Sequence, residues 1–268
     1  MQNLSVVIIT YNEEANISNC IESVKPVADE IIVLDCYSTD KTVEIARSKG
    51  AVIHESKFRG YIEQKNLALK YASHDFVLSL DADEMLDGNL LAAVKKEKES
   101  PTGKAYSMNR CTRYGGRFIR HGQWYPDKKL RLFDKRIASW GGMNPHDKIV
   151  LSSPVPVTHL PGDILHFSYD SIEEHVAHGN KFSTIAAESM YKRGRKAYWF
   201  NFFINPLWTF IQGYFLRLGF LDGAEGFIIA RISSHHTFLK YIKLYRLWHP
   251  RKRRWTKSVT ESLTGNKA

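Results

Sequence analysis

Three runs, Leu4 to Thr10, Glu30 to Asp35 and Asp75 to Leu80, are apolar almost throughout, and stretches of helical spacing separate them. Runs of that kind read as strands buried on both faces. Strands joined through helices pair in parallel, so this part of the chain predicts an α/β fold with a parallel sheet covered on both sides. Between them, Ile17, Cys20, Ile21 and Val24 recur at helical spacing after Asn12, which is expected to cap that helix. Val43, Ile45 and Ala46 follow the capping run Ser38-Thr39-Asp40 and stop at Gly50, Ala51 to His54 reads as a short strand, and Tyr61 to Ala72 as a helix.

Each long run ends in polar residues: Thr10-Tyr11-Asn12-Glu13, Asp35-Cys36-Tyr37-Ser38-Thr39-Asp40 and Asp81-Ala82-Asp83-Glu84. In a parallel sheet these ends share one edge, where open α/β folds hold ligands. Asp81 and Asp83, two positions apart, lean into one crevice and would repel each other there without company. A hard divalent cation that also holds a diphosphate is the natural partner, against the simpler reading of a solvated acidic turn. No G-x-G-x-x-G follows the first strand and no G-x-x-x-x-G-K-[ST] occurs, so a diphosphate would need a metal on carboxylates in place of a glycine-rich cradle.

The net charge of +10 is concentrated late in the chain. Nine Lys or Arg and no Asp or Glu lie between Gly226 and Thr260, leaving +1 (10 minus 9) for the rest. A nucleic acid or anionic membrane would therefore be met by the tail. The 3 cysteines have no C-x-x-C spacing, so neither a disulfide framework nor a zinc site is expected. No secretory pattern opens the chain, which places the expected fold in the cytoplasm.

The second half is basic, aromatic and glycine-rich around Arg113-Tyr114-Gly115-Gly116-Arg117 and Trp124-Tyr125-Pro126-Asp127, a composition suited to sugar faces and phosphates. It has no RNA-module signature, so no nucleic acid is expected. Tyr198 to Leu216 has no charged residue, but Asn201, Asn205, Pro206, Gln212 and Gly213 interrupt it. A surface-lying or partly re-entrant helix pair is expected there in place of a simple membrane span. Lys240, Lys243 and Arg246 beside Phe238, Tyr241, Ile242, Tyr245 and Trp248, continued by Arg251-Lys252-Arg253-Arg254-Trp255, predict an amphipathic basic helix that anchors on an anionic membrane surface.

The blocks Val6-Val7-Ile8-Ile9-Thr10-Tyr11-Asn12-Glu13-Glu14, Val33 to Thr42, Gln64-Lys65-Asn66 and Leu80-Asp81-Ala82-Asp83-Glu84, in that order, resemble family 2 inverting glycosyltransferases. The resemblance implies a GT-A fold, a Rossmann-like mostly parallel sheet with helices on both faces, here followed by a helical, amphipathic C-terminal region. It divides the chain at 1–195 (nucleotide-sugar half 1–100, acceptor half 101–195) and 196–268, a membrane-associating region. Carried over by position, it implies that Tyr11 stacks on uracil, that Thr10 and Glu13 surround base and ribose, and that Asp35 accepts a hydrogen bond from the uracil ring. Lys65 is expected near base or phosphates, Asp81 on ribose and metal, and Asp83 on the metal, a Mg2+ or Mn2+ ion.

Trp140-Gly141-Gly142-Met143-Asn144-Pro145-His146-Asp147 and Leu160 to Tyr169, with Leu130-Arg131-Leu132-Phe133, extend the likeness to bacterial lipopolysaccharide-core sugar transferases acting on inner-core heptose. By that resemblance Asp147, where relatives carry Glu, is the expected general base, Asp127 its runner-up, and His166 a further metal ligand. The implied activity moves a hexose, expected to be glucose, from a UDP-sugar to a lipid-linked glycan acceptor, peripherally on the cytoplasmic face of the inner membrane. The competing readings are a nucleotidyltransferase, and a nucleic-acid or membrane-binding protein working through its basic tail.

Overall fold

The computed structural model describes residues 2–143, 146–169 and 171–250. The chain divides into two compact units, Met1–Ser171 and Ile172–Ala268. In the first, it runs β1 (Leu4–Thr10), α1 (Ile17–Val24), β2 (Glu30–Asp35), α2 (Thr42–Ser48), β3 (Val52–Glu55), α3 (Tyr61–Tyr71), β4 (Phe76–Asp81), β5 (Glu84–Leu86) and α4 (Gly88–Glu99). There follow β6 (Ala105–Tyr114), β7 (Arg117–Phe118), β8 (Asp127–Asp134), β9 (Ala138–Met143), β10 (His146–Leu151) and β11 (Thr158–Tyr169). The main sheet has the order β3-β2-β1-β4-β8-β6-β11-β5, with β7 on β6, while β9 and β10 form a separate antiparallel pair.

The α/β class read from the sequence is the one found. β3, β2, β1 and β4 are parallel neighbours, as apolar strands joined by helices require. Beyond β4 the pairing is mixed: β8 is antiparallel to both β4 and β6, β11 is parallel to β6, and β5 is antiparallel to β11. Alternation along β1 explains why helices are needed on both faces. Leu4, Val6 and Ile8 pack with Ile17 and Ile21 of α1 and Leu90 of α4. Val7, with Ile32 and Val77, packs against Ala68 and Leu69 of α3 and against Trp140 of β9.

The second unit comprises α5 (Ile172–Lys192), a 3-10 turn Trp199–Phe202, α6 (Ile204–Ile211), a π turn Gln212–Leu216, a 3-10 turn Gly219–Asp222, and α7 (Gly223–Trp248). Its boundary at Ser171 falls earlier than the 195/196 division read from the sequence, because α5 packs along α7. The tail helix also differs from the expected anchor. Leu244 is fully buried in a cluster with Ala187 and Ala197, and Tyr241, Tyr245 and Trp248 pack against that cluster. Lys243 Nζ donates to Asn180 O and Ser183 Oγ, both at 2.7 Å, so it binds α5 and is not held free for a membrane. The run Arg251 to Trp255, read as continuing that helix, lies outside the described residues, as do Asn144 and Pro145.

Candidate active site

The parallel register places the polar strand ends side by side: Thr10 is opposite Asp35, and Ile9 is opposite Asp81. The loops beyond β1 and β2 are stitched together by side chains. Asn12, at φ +53°, accepts through Oδ1 from the Thr39 amide at 2.8 Å, and its own amide donates to Ser38 Oγ. Asn12 therefore bridges two loops and does not cap α1, which begins only at Ile17. The Glu13 amide donates to Thr42 Oγ1 and the Glu14 amide to Asp40 Oδ2. These bonds shape the wall of a cleft of about 620 Å³, lined by Thr10, Tyr11, Glu13 and Cys36 from the strand ends, Phe58, Tyr61 and Gln64 beside α3, and Asp81, Asp83 and His166. Tyr11 is 57% exposed, as a stacking platform must be. Burial, followed by the charge of Asp35, pushes the Cys36 thiol up to about 11, so that it stays an uncharged lining group.

Asp35, expected at the uracil ring, is held within its own loop. It is fully buried, and its two oxygens accept from the Ser38 amide, at 2.7 Å, and from Ser38 Oγ. The carboxylate holds its own β2–α2 turn, a local explanation that sequence reading did not give it. Asn66 clasps β9: its Nδ2 donates to Trp140 O at 2.8 Å and its Oδ1 accepts from the Trp140 amide at 2.9 Å.

The charged groups form one alternating chain. Asp147 Oδ2 lies 2.8 Å from Lys65 Nζ, which lies 3.0 Å from Asp81 Oδ1. Asp81 Oδ2 is 3.1 Å from Arg131 Nη2, which is 2.8 Å from Glu84 Oε1. Arg110 continues it, 3.6 Å from Glu84 and 2.9 Å from Asp127, and Lys129 closes it 3.0 Å from Asp127. Lys65 and Arg131 also stack on the Trp140 ring, 4.4 Å and 5.1 Å from its centroid. Burial alone would raise the Asp81 carboxyl, but Lys65 and Arg131 overcome it and hold the group well below the usual carboxylate range. Asp81 thus does not depend on a metal for a counter-charge, since two buried side-chain cations already supply one. The two candidate bases, Asp147 and Asp127, are separate members of this chain, and neither is among the residues lining the cleft.

Asp83 has different surroundings. His166 Nε2 lies 3.1 Å from its Oδ2, and His166 Nδ1 is 3.2 Å from Thr112 Oγ1. In the tautomer whose Nδ1–H donates to Thr112, Nε2 presents a lone pair toward a carboxylate, and two such acceptors suit a cation. Among the described residues no three His, Cys, Asp or Glu side chains converge as a metal site. A pair is what suits an ion whose remaining ligands come from substrate phosphates and water. Glu13 faces the same region. Burial raises its carboxyl, a hydrogen bond from Asn16 pulls it back, and the charge of Asp83 adds to the rise.

The structure thus brings Thr10, Tyr11, Glu13, Asp81, Asp83 and His166 to one cleft, with Lys65 bridging Asp81 to Asp147 behind it. Sequence reading missed Glu84 and Arg131 as the partners that fix Asp81. Arg131 was visible as a charge between apolar Leu130 and Leu132, which is the signal of a buried ion pair, whereas Glu84 was hidden in the acidic run Asp81-Ala82-Asp83-Glu84.

The chain matches the family model described as "Glycosyl transferase family 2" over residues 5–154. It is 33% identical to an uncharacterized glycosyltransferase of Rickettsia typhi over 92% of this chain and 88% of that one. It is 29% identical to the lipopolysaccharide core biosynthesis glycosyltransferase LpsC of Rhizobium meliloti, over 91% of this chain and 92% of the relative. Among solved structures, glucosyl-3-phosphoglycerate synthase of Mycobacterium tuberculosis, in complex with Mn2+, UDP and glucosyl-3-phosphoglycerate, is 28% identical over 42% of this chain and 45% of that one, with a TM-score of 0.36.

Proposed function

Because this chain belongs to the family 2 glycosyl transferases, we propose that it moves a hexose, with glucose expected, from a UDP-sugar to a lipid-linked glycan of the lipopolysaccharide-core type, with inversion. The observation that carries this reading is the strand-end cleft in which Asp83 and His166 face Thr10, Tyr11 and Glu13. Tyr11 offers its exposed ring to the uracil, and Thr10, whose buried Oγ1 has no hydrogen-bond partner, offers a hydroxyl to base or ribose. Asp83 and His166 would hold a Mg2+ or Mn2+ ion, which when bound offsets the charge developing on the leaving diphosphate. Asp81 is assigned to the donor's ribose, held in place and ionised by Lys65 and Arg131. Asp35, committed to Ser38, keeps further lone pairs for the uracil ring.

Inverting transfer needs a base within reach of the acceptor hydroxyl. Asp147 is assigned this role. Lys65 engages its Oδ2, which fixes the carboxylate and leaves Oδ1 outside that bond. Asp127 is the weaker candidate, because Arg110 and Lys129 take both of its oxygens. The acceptor class is supported by the near full-length likeness to a lipopolysaccharide core biosynthesis enzyme. No helix among the described residues is long and apolar enough to cross a membrane. With an acceptor of the lipopolysaccharide-core class, we place the activity peripherally, on the anionic cytoplasmic face of the inner membrane. The test is a panel of nucleotide sugars assayed for transfer to a heptose-bearing lipid. Transfer from UDP-glucose is expected, and transfer only from a donor with another base, or release of pyrophosphate from a nucleoside triphosphate, would overturn the reading.

A further inference from the structure

The second unit carries an apolar surface that transfer chemistry does not use. α6 is turned inside out. Its polar groups face α7: Ser234 Oγ donates to Pro206 O at 2.9 Å, and Thr209 Oγ1 donates to Thr237 Oγ1 at 3.3 Å. Pro206 is the buried residue of α6, whereas Phe203, Ile204, Leu207 and Trp208 are 54% to 67% exposed. Water favours the reverse arrangement. The next turns enlarge the patch. A Cβ at Gly226 would lie 1.9 Å from Gly219 O, so α7 meets this hairpin backbone to backbone, and Phe215 and Leu216 stay 53% and 62% exposed.

Along the chain the patch is flanked by basic residues, and the nearest acids beyond it are buried Asp222 and half-buried Glu225 at the start of α7. Between Glu188 and Asp222 the chain has Lys192, Arg193, Arg195, Lys196 and Arg217, all exposed, and no Asp or Glu. The 8 residues of α6 and the 5 of the π turn amount to about 20 Å at 1.5 Å per residue, too short for a hydrocarbon core of about 30 Å. A second copy seated here would bring two basic rims together, which is repulsive. A bilayer with anionic headgroups satisfies both the apolar face and the rim.

We infer that the outward face of α6 and the turn to Leu216 is a membrane-docking surface that lies in the plane of an anionic bilayer, its apolar side chains at the headgroup-acyl boundary and its rim on the lipid phosphates. The inference rests on the reading of a lipid-borne acceptor, and moves the anchor from α7, whose aromatic face is internal, to α6.

The test uses the full chain and vesicles of phosphatidylcholine with and without phosphatidylglycerol. The unmodified protein floats with anionic vesicles, retains part of that binding in high salt, and has its tryptophan fluorescence quenched by brominated lipid. The double substitution Leu207→Glu with Trp208→Glu, both at exposed positions, weakens partitioning at least about tenfold on either vesicle while the melting temperature holds. Arg195→Gln with Lys196→Gln removes only the gain from anionic lipid. Unchanged flotation of the Glu variant, or absence of quenching in the unmodified protein, would overturn the proposal. So would a lipid-free dimer that the Glu variant converts to monomer. Transfer to a delipidated acceptor separates the two readings: it survives in the Glu variant, and its absence in an unmodified protein that still floats counts against the acceptor and leaves the docking surface standing.

Discussion

Asp81 and Asp83 stand two residues apart at one strand end and have opposite surroundings, so substitution should separate them. Asp81→Asn removes the shared counter-charge of Lys65 and Arg131, both almost fully buried, and is expected to cost about 3 to 5 kcal/mol of stability. Asp83→Asn, at the cleft with His166 alone, should cost less than about 1 kcal/mol while abolishing transfer. Urea denaturation of the two variants measures the contrast. The pH dependence follows from the lowered Asp81 carboxyl. Its stabilising contribution is present above its unfolded value and is lost as pH falls through the lower folded value. Below about pH 4 the unmodified protein should therefore lose stability more steeply than Asp81→Asn, read from melting temperature against pH. The sequence made both aspartates visible because each follows an apolar run. It did not show which would be neutralised, since Lys65 arrives from α3 and Arg131 from β8, fifty residues further on. The local partner of Asp35 was hidden for the opposite reason: Ser38 lies only three residues away and reads as a helix cap.

At the scale of elements, the parallel strands β1, β2 and β4 were legible because apolar runs separated by helical spacing have few other folds. The antiparallel insertion of β8 between β4 and β6 was not legible, because strand order beyond a run of βα units is set by tertiary pairing. The β9–β10 pair carries Asp147 opposite Gly142, with Trp140 on β9 beneath Lys65 and Arg131. If that hairpin delivers the base, Asp147→Asn should bind donor normally and transfer about 10² more slowly. Single-turnover assays measure this, and near-normal turnover would return the role to Asp127. α7 was read correctly as a helix, but its aromatic stripe packs inside the second unit. Ending the chain at Gly226 should therefore strip α5 and α6 of their shared partner and lose their helical signal, as read by far-UV circular dichroism.

At the scale of the whole molecule, a strand-end cleft, a buried charge chain that fixes Asp81, and the Asp83–His166 pair meet in a chain of the family 2 glycosyl transferases, and together they are the donor site we propose. The charge chain is an investment in geometry: it holds the Asp81 carboxylate ionised and fixed in place before substrate arrives, as transfer between two bound partners requires. In the proposed reading, the metal-dependent part of donor binding passes through Asp83. The most direct measurement is calorimetric titration of UDP into the unmodified protein and into Asp83→Asn, each with Mn2+ and with excess chelator. The account predicts that Mn2+ tightens UDP binding to the unmodified protein at least about tenfold and leaves Asp83→Asn, still folded, with only its metal-independent affinity. Equal affinity in chelator and Mn2+ for the unmodified protein, or an undiminished metal response in Asp83→Asn, would contradict it.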